Sequence, residues 1–243
     1  MHSAYFWNKH NLLGRKVVFT LILFILAALS TVEAQNKKPK NLPNYDDKTL
    51  HFGFYVAPQF SIFRVKYSSF FQRNLDTVFA VRPKGSPGFS TGFLISLRLN
   101  DYWNFRFLPG VSFYERGIFY RFKDAPEDRQ VIESTFIELP FMVKFKSERR
   151  QNVRMYMTGG IKAGFEVGAK RKERTDRQLR TNNRDLSIEY GIGLELFYPL
   201  FKFAPEIRFS LGVNNMLEPD NNIYANTISR MYTNSVTLFL NFE

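Results

Sequence analysis

The stretch FKFAPEIRFSLGV, residues 201–213, is compatible with few folds. Side chains of an extended chain alternate between two faces. Phe201, Phe203, Pro205, Ile207, Phe209, Leu211 and Val213 therefore share one face, and Lys202, Ala204, Glu206, Arg208, Ser210 and Gly212 the other. Helical spacing would mix these sets. The same period of two recurs in TLHFGFYVAPQFSIFRV, GFSTGFLISLRL, YWNFRFLPGVSFYERG, FIELPFMVKFK, VRMYMTGGIKAGFEVGAK, LSIEYGIGLELFY and SVTLFLNFE, so eight strands are predicted. Their connections alternate in length. Asn100–Asp101, Ser147–Asn152 and Tyr198–Leu200 are short, whereas Lys66–Pro87, Gly117–Asp128, Arg171–Asp185 and Asn214–Ile228 are long and polar. Tight turns at one end and long loops at the other are the pattern of outer-membrane barrels.

Alternation does not by itself say which face is inside. A soluble barrel of the lipocalin kind is apolar within and polar without. Here the polar face is rich in Gly and Ser and carries Arg98, Arg106, Glu138, Lys144, Arg154, Lys162, Glu166, Glu195, Glu206 and Arg208 within its strands. The chain has 27 Phe among 243 residues, more than the interior of an eight-stranded barrel, which side chains just fill, would hold beside those charges. Each strand also reaches the nine to eleven residues that a tilted crossing needs. The expected fold is all-β: an eight-stranded antiparallel transmembrane β-barrel with a side-chain-filled lumen, in which those ten charged residues form an ion-pair network. Both termini are expected on the periplasmic side.

The amino terminus supports export. Lys9, Arg15 and Lys16 precede the apolar run Val17–Leu29, and Val32-Glu33-Ala34 resembles a small-x-small cleavage site. The run is too short for a comfortable helical span of about 20 residues. The expected organisation is a signal peptide over residues 1–34, a polar, proline-bearing periplasmic arm over residues 35–48, and an outer-membrane barrel over residues 49–243. The arm has no core to bury, so its order is expected to come from binding. The whole chain carries a formal net charge of +12. A basic exported chain points to lipid phosphate and lipopolysaccharide as the counter-charge rather than to nucleic acid. The chain has no Cys, so no disulfide or thiolate site staples the fold.

Little in the chain resembles catalytic machinery, and no catalytic, cofactor or metal residue is assigned. Beyond residue 34 the one histidine is His51, on the inward face of the first strand; a catalytic base comes with an orienting partner and a nucleophile, so it reads as a hydrogen-bonded barrel-end residue. Asp124, Glu127 and Asp128 lack the alternating spacing of a calcium loop. RKERTDRQLRTNNR, from Arg171 to Arg184, is the most basic segment; it suits glycolipid phosphates or an acidic partner, and equally a solvated loop.

At NLPNYDDKTLHFGFYVAPQF, from Asn41 to Phe60, the chain resembles the PorT family, called SprT in gliding bacteria: an arm leads into a His-aromatic-Gly-Phe first strand. FIELPFMVKFK, YMTGGIKAG and PEIRFSLGVNN are similar to motifs shared more widely by barrels of the same phylum. The resemblance spans the chain after residue 34. It implies a non-enzymatic outer-membrane component of the type IX secretion system, working through protein partners of that system, with a role in gliding where present. One departure is Glu243 after Phe242, where many outer-membrane barrels end on the aromatic residue. Two other readings stand beside this one: a structural or adhesive surface barrel, and a barrel enzyme acting on lipid.

Overall fold

The computed structural model describes residues 39–73, 78–122, 128–167, 179–218 and 223–243. The predicted signal peptide, most of the basic segment, Asp124 and Glu127 lie outside the described residues. Lys40–Glu243 forms one compact unit.

Alternating sequence becomes strand throughout. The elements are β1 (Leu50–Tyr67), α1 (Ser69–Arg73), β2 (Val78–Lys84), β3 (Ser86–Arg98), β4 (Trp103–Phe107), β5 (Gly110–Phe122), β6 (Asp128–Lys146), β7 (Val153–Val167), β8 (Arg184–Phe197), β9 (Lys202–Gly212), α2 (Ile223–Asn226) and β10 (Ile228–Phe242). β4 and β5 are one strand interrupted at Leu108–Pro109. Pairing persists across the break, because the Leu108 N–H donates to the Pro140 carbonyl at 3.2 Å and the Pro109 carbonyl accepts from Phe93 N–H at 3.0 Å. Counting them together, an eight-strand antiparallel ring runs β1–β3–β4/β5–β6–β7–β8–β9–β10 and returns to β1. Phe54 is paired with Phe242 on one side and Phe93 on the other, which closes the ring.

Closure sets the two faces. Outward, Phe52, Phe93, Met155, Ile192 and Leu238 are exposed, with Phe93 at 71%. Inward, Arg106, Lys144, Glu195, Glu206 and Arg208 are at 0–1% exposure. A soluble monomer rarely exposes a continuous apolar patch beyond a few hundred Å². A full belt of Phe, Ile, Leu and Met around a polar interior is stable only where the outer solvent is hydrocarbon, and in hydrocarbon every backbone group must be paired, which the closed ring achieves. The inside-out arrangement expected from the sequence is the one observed.

Two long connections hold more structure than the sequence suggested. β5 and β6 continue as a hairpin past Gly117, pairing Ile118 with Gln130 and Tyr120 with Asp128, and β2 lines up beside β5 from Val78 to Lys84. The alternation fades there because both faces have lost their contrast: Phe119 and Arg121 face out while Ile118 and Tyr120 are buried. Beyond the lipid, an outward position no longer needs to be apolar.

Phe93 is central among the outward positions of β3. Phe93→Arg should destabilise the barrel by about 2 to 4 kcal/mol, the cost of a base near the bilayer midplane, while Phe93→Leu should cost under about 1.5 kcal/mol. Urea unfolding in lipid vesicles reads both; equal midpoints for the two variants would refute the assignment of this face.

Candidate functional site

The lumen has two facing walls, each a consequence of which inward residues the strands supply. One wall, from β10 through β1 and β3 to β6, is apolar: Tyr55, Ala57, Leu94, Leu108, Met142 and Phe239 form a buried cluster. Small residues make room for its aromatic ring. A Cβ added at Gly110 would lie 2.0 Å from the Tyr55 hydroxyl, so only glycine fits there.

The facing wall, β6 to β9, is charged, and its groups answer one another in sequence. Glu138 accepts hydrogen bonds from Ser112 Oγ at 2.7 Å and the Tyr114 hydroxyl at 2.6 Å, and pairs with Lys162 at 2.9 Å. Lys162 also meets Glu189 at 3.2 Å, and Glu189 accepts from Arg208 at 3.1 Å. Glu206 is the hub: it accepts from Arg106 Nη1 at 2.9 Å, Arg208 Nε at 2.8 Å, Tyr156 at 3.0 Å and Thr158 at 2.9 Å. The Arg208 guanidinium also lies 3.9 Å from the Phe239 ring centre, joining the charged wall to the apolar one. Below it, Glu195 binds Lys144, Arg154 and Lys202, the last at 3.0 Å. Lys202 reaches Glu243 at 2.7 Å.

The expected network residues distribute as follows. Arg106, Glu138, Lys144, Arg154, Lys162, Glu195, Glu206 and Arg208 are buried and joined through these contacts. Arg98 and Glu166 lie at opposite ends of the barrel: Arg98 pairs with Asp101 beside a turn, and the Glu166 N–H donates to the Asn183 carbonyl at 2.8 Å near the loops. Glu189, Lys202, Tyr156 and Glu243 also belong to the network. Their inward parity was readable, and Glu243 simply continues the alternation of β10 beyond the outward Phe242.

The two ends are stopped differently. At the loop end, inward Phe63, Tyr114, Ile118, Tyr120, Phe136 and Met231 pack with Leu179, Met216, Leu217 and Tyr224 from the connections in an apolar core. At the turn end, residues 41–47 form a cap. This corrects the expectation that the arm orders only on binding: its second half is already ordered by the barrel. Asn41 N–H donates to Asn152 Oδ1 at 2.8 Å, and its amide donates to the Phe197 carbonyl at 2.9 Å. Arg149 donates to the carbonyls of Asn41 and Leu42 and holds Leu42 at φ 48°, a left-handed conformation that non-glycine residues seldom adopt. The Tyr45 ring stacks on His51 at 4.1 Å, and its hydroxyl accepts from Lys202 at 2.6 Å and donates to Glu243 at 2.7 Å. Burial, reinforced by the Glu243 carboxylate, pushes that hydroxyl above its usual range, so it stays a donor. Asp46 meets Arg154 at 3.0 Å and Lys146 at 3.5 Å; burial works to raise its carboxyl, but Arg154 and Lys146 outweigh it and hold the group below its ordinary range. The arm escaped sequence reading because its contacts are polar and aperiodic.

His51 is tied into this cap, its Nε2 within 2.8 Å of the Tyr45 carbonyl. Asp128 accepts from the Tyr224 hydroxyl at 2.6 Å and from Gln130 at 3.1 Å. Among the described residues no group of three or more His, Asp or Glu is placed to hold a metal ion.

Two outcomes test this architecture. Glu206→Ala leaves Arg106 and Arg208 buried without their shared partner and should cost about 3 to 5 kcal/mol, whereas Glu115→Ala, in an exposed pair with Arg129, should cost under about 1 kcal/mol; matching urea midpoints would refute the hub. Asp46 has a depressed folded-state pKa, so its contribution to cap docking is present above its unfolded value near 3.8 and lost as pH falls through the folded one. Asp46→Asn should therefore raise hydrogen exchange across residues 41–48 at neutral pH while β7 and β8 keep their protection, and unchanged exchange in that segment would contradict the docking.

The profile of the outer membrane protein beta-barrel domain family matches residues 33–218. No curated protein matches the chain. Solved structures similar to it include the outer membrane protein OprG from Pseudomonas aeruginosa, at 7% identity and a TM-score of 0.45, covering 86% of this chain and 97% of that one. Neisserial surface protein A is similar at 12% identity and a TM-score of 0.39, covering 77% and 95%. Ail, the attachment invasion locus protein of Yersinia pestis, is similar at 13% identity and a TM-score of 0.32, covering 78% and 97%.

Proposed function

We propose a function from one premise: the chain belongs to the outer membrane protein beta-barrel domain family. It is an outer-membrane β-barrel. Within that setting we read it as a non-enzymatic accessory of the type IX secretion system, of the PorT kind, with the turn end and both termini in the periplasm and the loops outside.

The observation that carries the reading is the filled lumen. Charged side chains, an apolar wall, a cap at one end and an apolar core at the other leave no space for an exported polypeptide. A role in export must then run through surfaces: the cap, the loops or the outer wall. The stretch Asn41–Phe60, on which the resemblance rests, comprises the cap and most of the strand that follows it. The cap also revises what the arm can do. Removing residues 37–46 would strip Asp46 from Lys146 and Arg154 and Tyr45 from Lys202, so the deletion should weaken the barrel as well as any partner contact.

Deletion of the gene, followed by proteomics of the cell surface and medium, tests the reading. Loss of many secreted proteins, restored by the wild-type chain, is the expected result. Loss of adhesion alone would favour a structural or adhesive barrel, and altered lipid A a barrel enzyme; either would overturn the secretion role. A chain lacking residues 35–40, which keeps Asn41, Tyr45 and Asp46 in place, should restore a heat-modifiable barrel, and secretion only if that first segment is not the partner contact.

A further inference from the structure

The outer wall is not the same at its two ends. At the turn end, outward strand positions such as Leu50, Leu97, Trp103, Met155 and Phe203 are apolar. At the loop end of β1 and β10 they turn polar and basic, while on β7 to β9 Phe165, Val167, Leu186 and Leu211 keep that end apolar. On β1 the outward series Phe60, Ile62 gives way to Arg64 and Lys66, and on β10 the outward Val236 gives way to Asn234, Tyr232 and Arg230. The register places Lys66 directly opposite Arg230 and Arg64 directly opposite Tyr232, and the Arg64 guanidinium lies 5.0 Å from the Tyr232 ring centre.

Like charges directly opposite one another across a strand pair are destabilising, and here no ion pair among the described residues reaches Arg64, Lys66 or Arg230. Arg129, another outward base at this end, is by contrast paired with Glu115 at 3.1 Å. The β1–β10 patch is thus an exposed cationic cluster, facing away from the lumen, immediately above the apolar belt. A soluble anion is held there by charge alone, whereas a lipid whose acyl chains lie along Phe60, Ile62 and Val236 brings its headgroup to that height and is held by both. Guanidinium and ammonium groups match phosphate oxygens with charge-assisted hydrogen bonds, and Tyr232 offers the ring and hydroxyl that suit the boundary between hydrocarbon and headgroup.

We propose that Arg64, Lys66 and Arg230 form a site for the phosphate groups of an anionic glycolipid in the leaflet at the loop end. The assignment rests on the membrane orientation given above and is independent of any role in secretion.

The test uses the purified full chain in neutral detergent, titrated separately with diphosphoryl lipid A, dephosphorylated lipid A and inorganic phosphate, with bound molecules counted by native mass spectrometry. The wild type should retain diphosphoryl lipid A. The variant Arg64→Gln/Lys66→Gln/Arg230→Gln should bind it at least tenfold more weakly while remaining heat-modifiable, and dephosphorylated lipid A should bind the wild type no better than diphosphoryl lipid A binds the variant. Equal binding by wild type and variant would overturn the site. Equal binding of the two lipids to the wild type would do the same, and needs no folded variant. Inorganic phosphate displacing lipid A at matched concentration would overturn the lipid assignment by showing a site for the bare anion. A strain carrying the variant that secretes normally separates this result from failure of the secretion role.

Discussion

Everything in this barrel depends on pairing β1 with β10. In hydrocarbon an unpaired backbone N–H or C=O has no water to turn to and costs several kcal/mol, so an open edge is excluded and the first strand must meet the last. The register from Phe54↔Phe242 to Lys66↔Arg230 supplies that seam. Once the ring is shut, side-chain parity is fixed around the circle, and a one-residue slip anywhere would put charges in lipid and Phe in the lumen.

The lumen then follows from charge chemistry. Carboxylates and bases from β6 to β9 cannot leave the interior without crossing lipid, and buried ions are tolerable only when paired and hydrogen-bonded. The contacts satisfy this in succession from Glu138 to Glu243, with Tyr114, Tyr156 and Thr158 filling remaining acceptor sites on the carboxylates. The cap extends the same succession into residues 41–47, where Tyr45 and Asp46 meet charges that the turn-end mouth would otherwise leave half-covered. Interior and cap are one electrostatic structure, and this explains why a short polar segment with no core of its own is ordered.

The faces of all the ring strands were legible in the sequence because lipid demands strict alternation, and Glu206 and Arg208 between Phe203, Ile207 and Phe209 show it most clearly. What was not legible falls into two kinds. The hairpin continuation of β5 and β6 and the edge strand β2 lie beyond the lipid, where that demand lapses and Phe119 beside Arg121 carries no period. The cap and the apolar wall depend on which residues meet across the lumen: nothing local to Asp46 announces Arg154, and nothing local to Leu94 announces Phe239. Within the charged wall the types and parity were readable, while the pairing of Glu206 with Arg106 waited on the ring geometry.

Among the described residues this is a solid barrel, filled and stopped at both ends, and the proposed role therefore rests on its surfaces. Planar-bilayer recording with the purified full chain tests it most directly. The structure requires a membrane current indistinguishable from that of protein-free bilayers, with no stepwise openings across the accessible voltage range. Stable, ohmic, single-channel steps from the folded, heat-modifiable protein would contradict it.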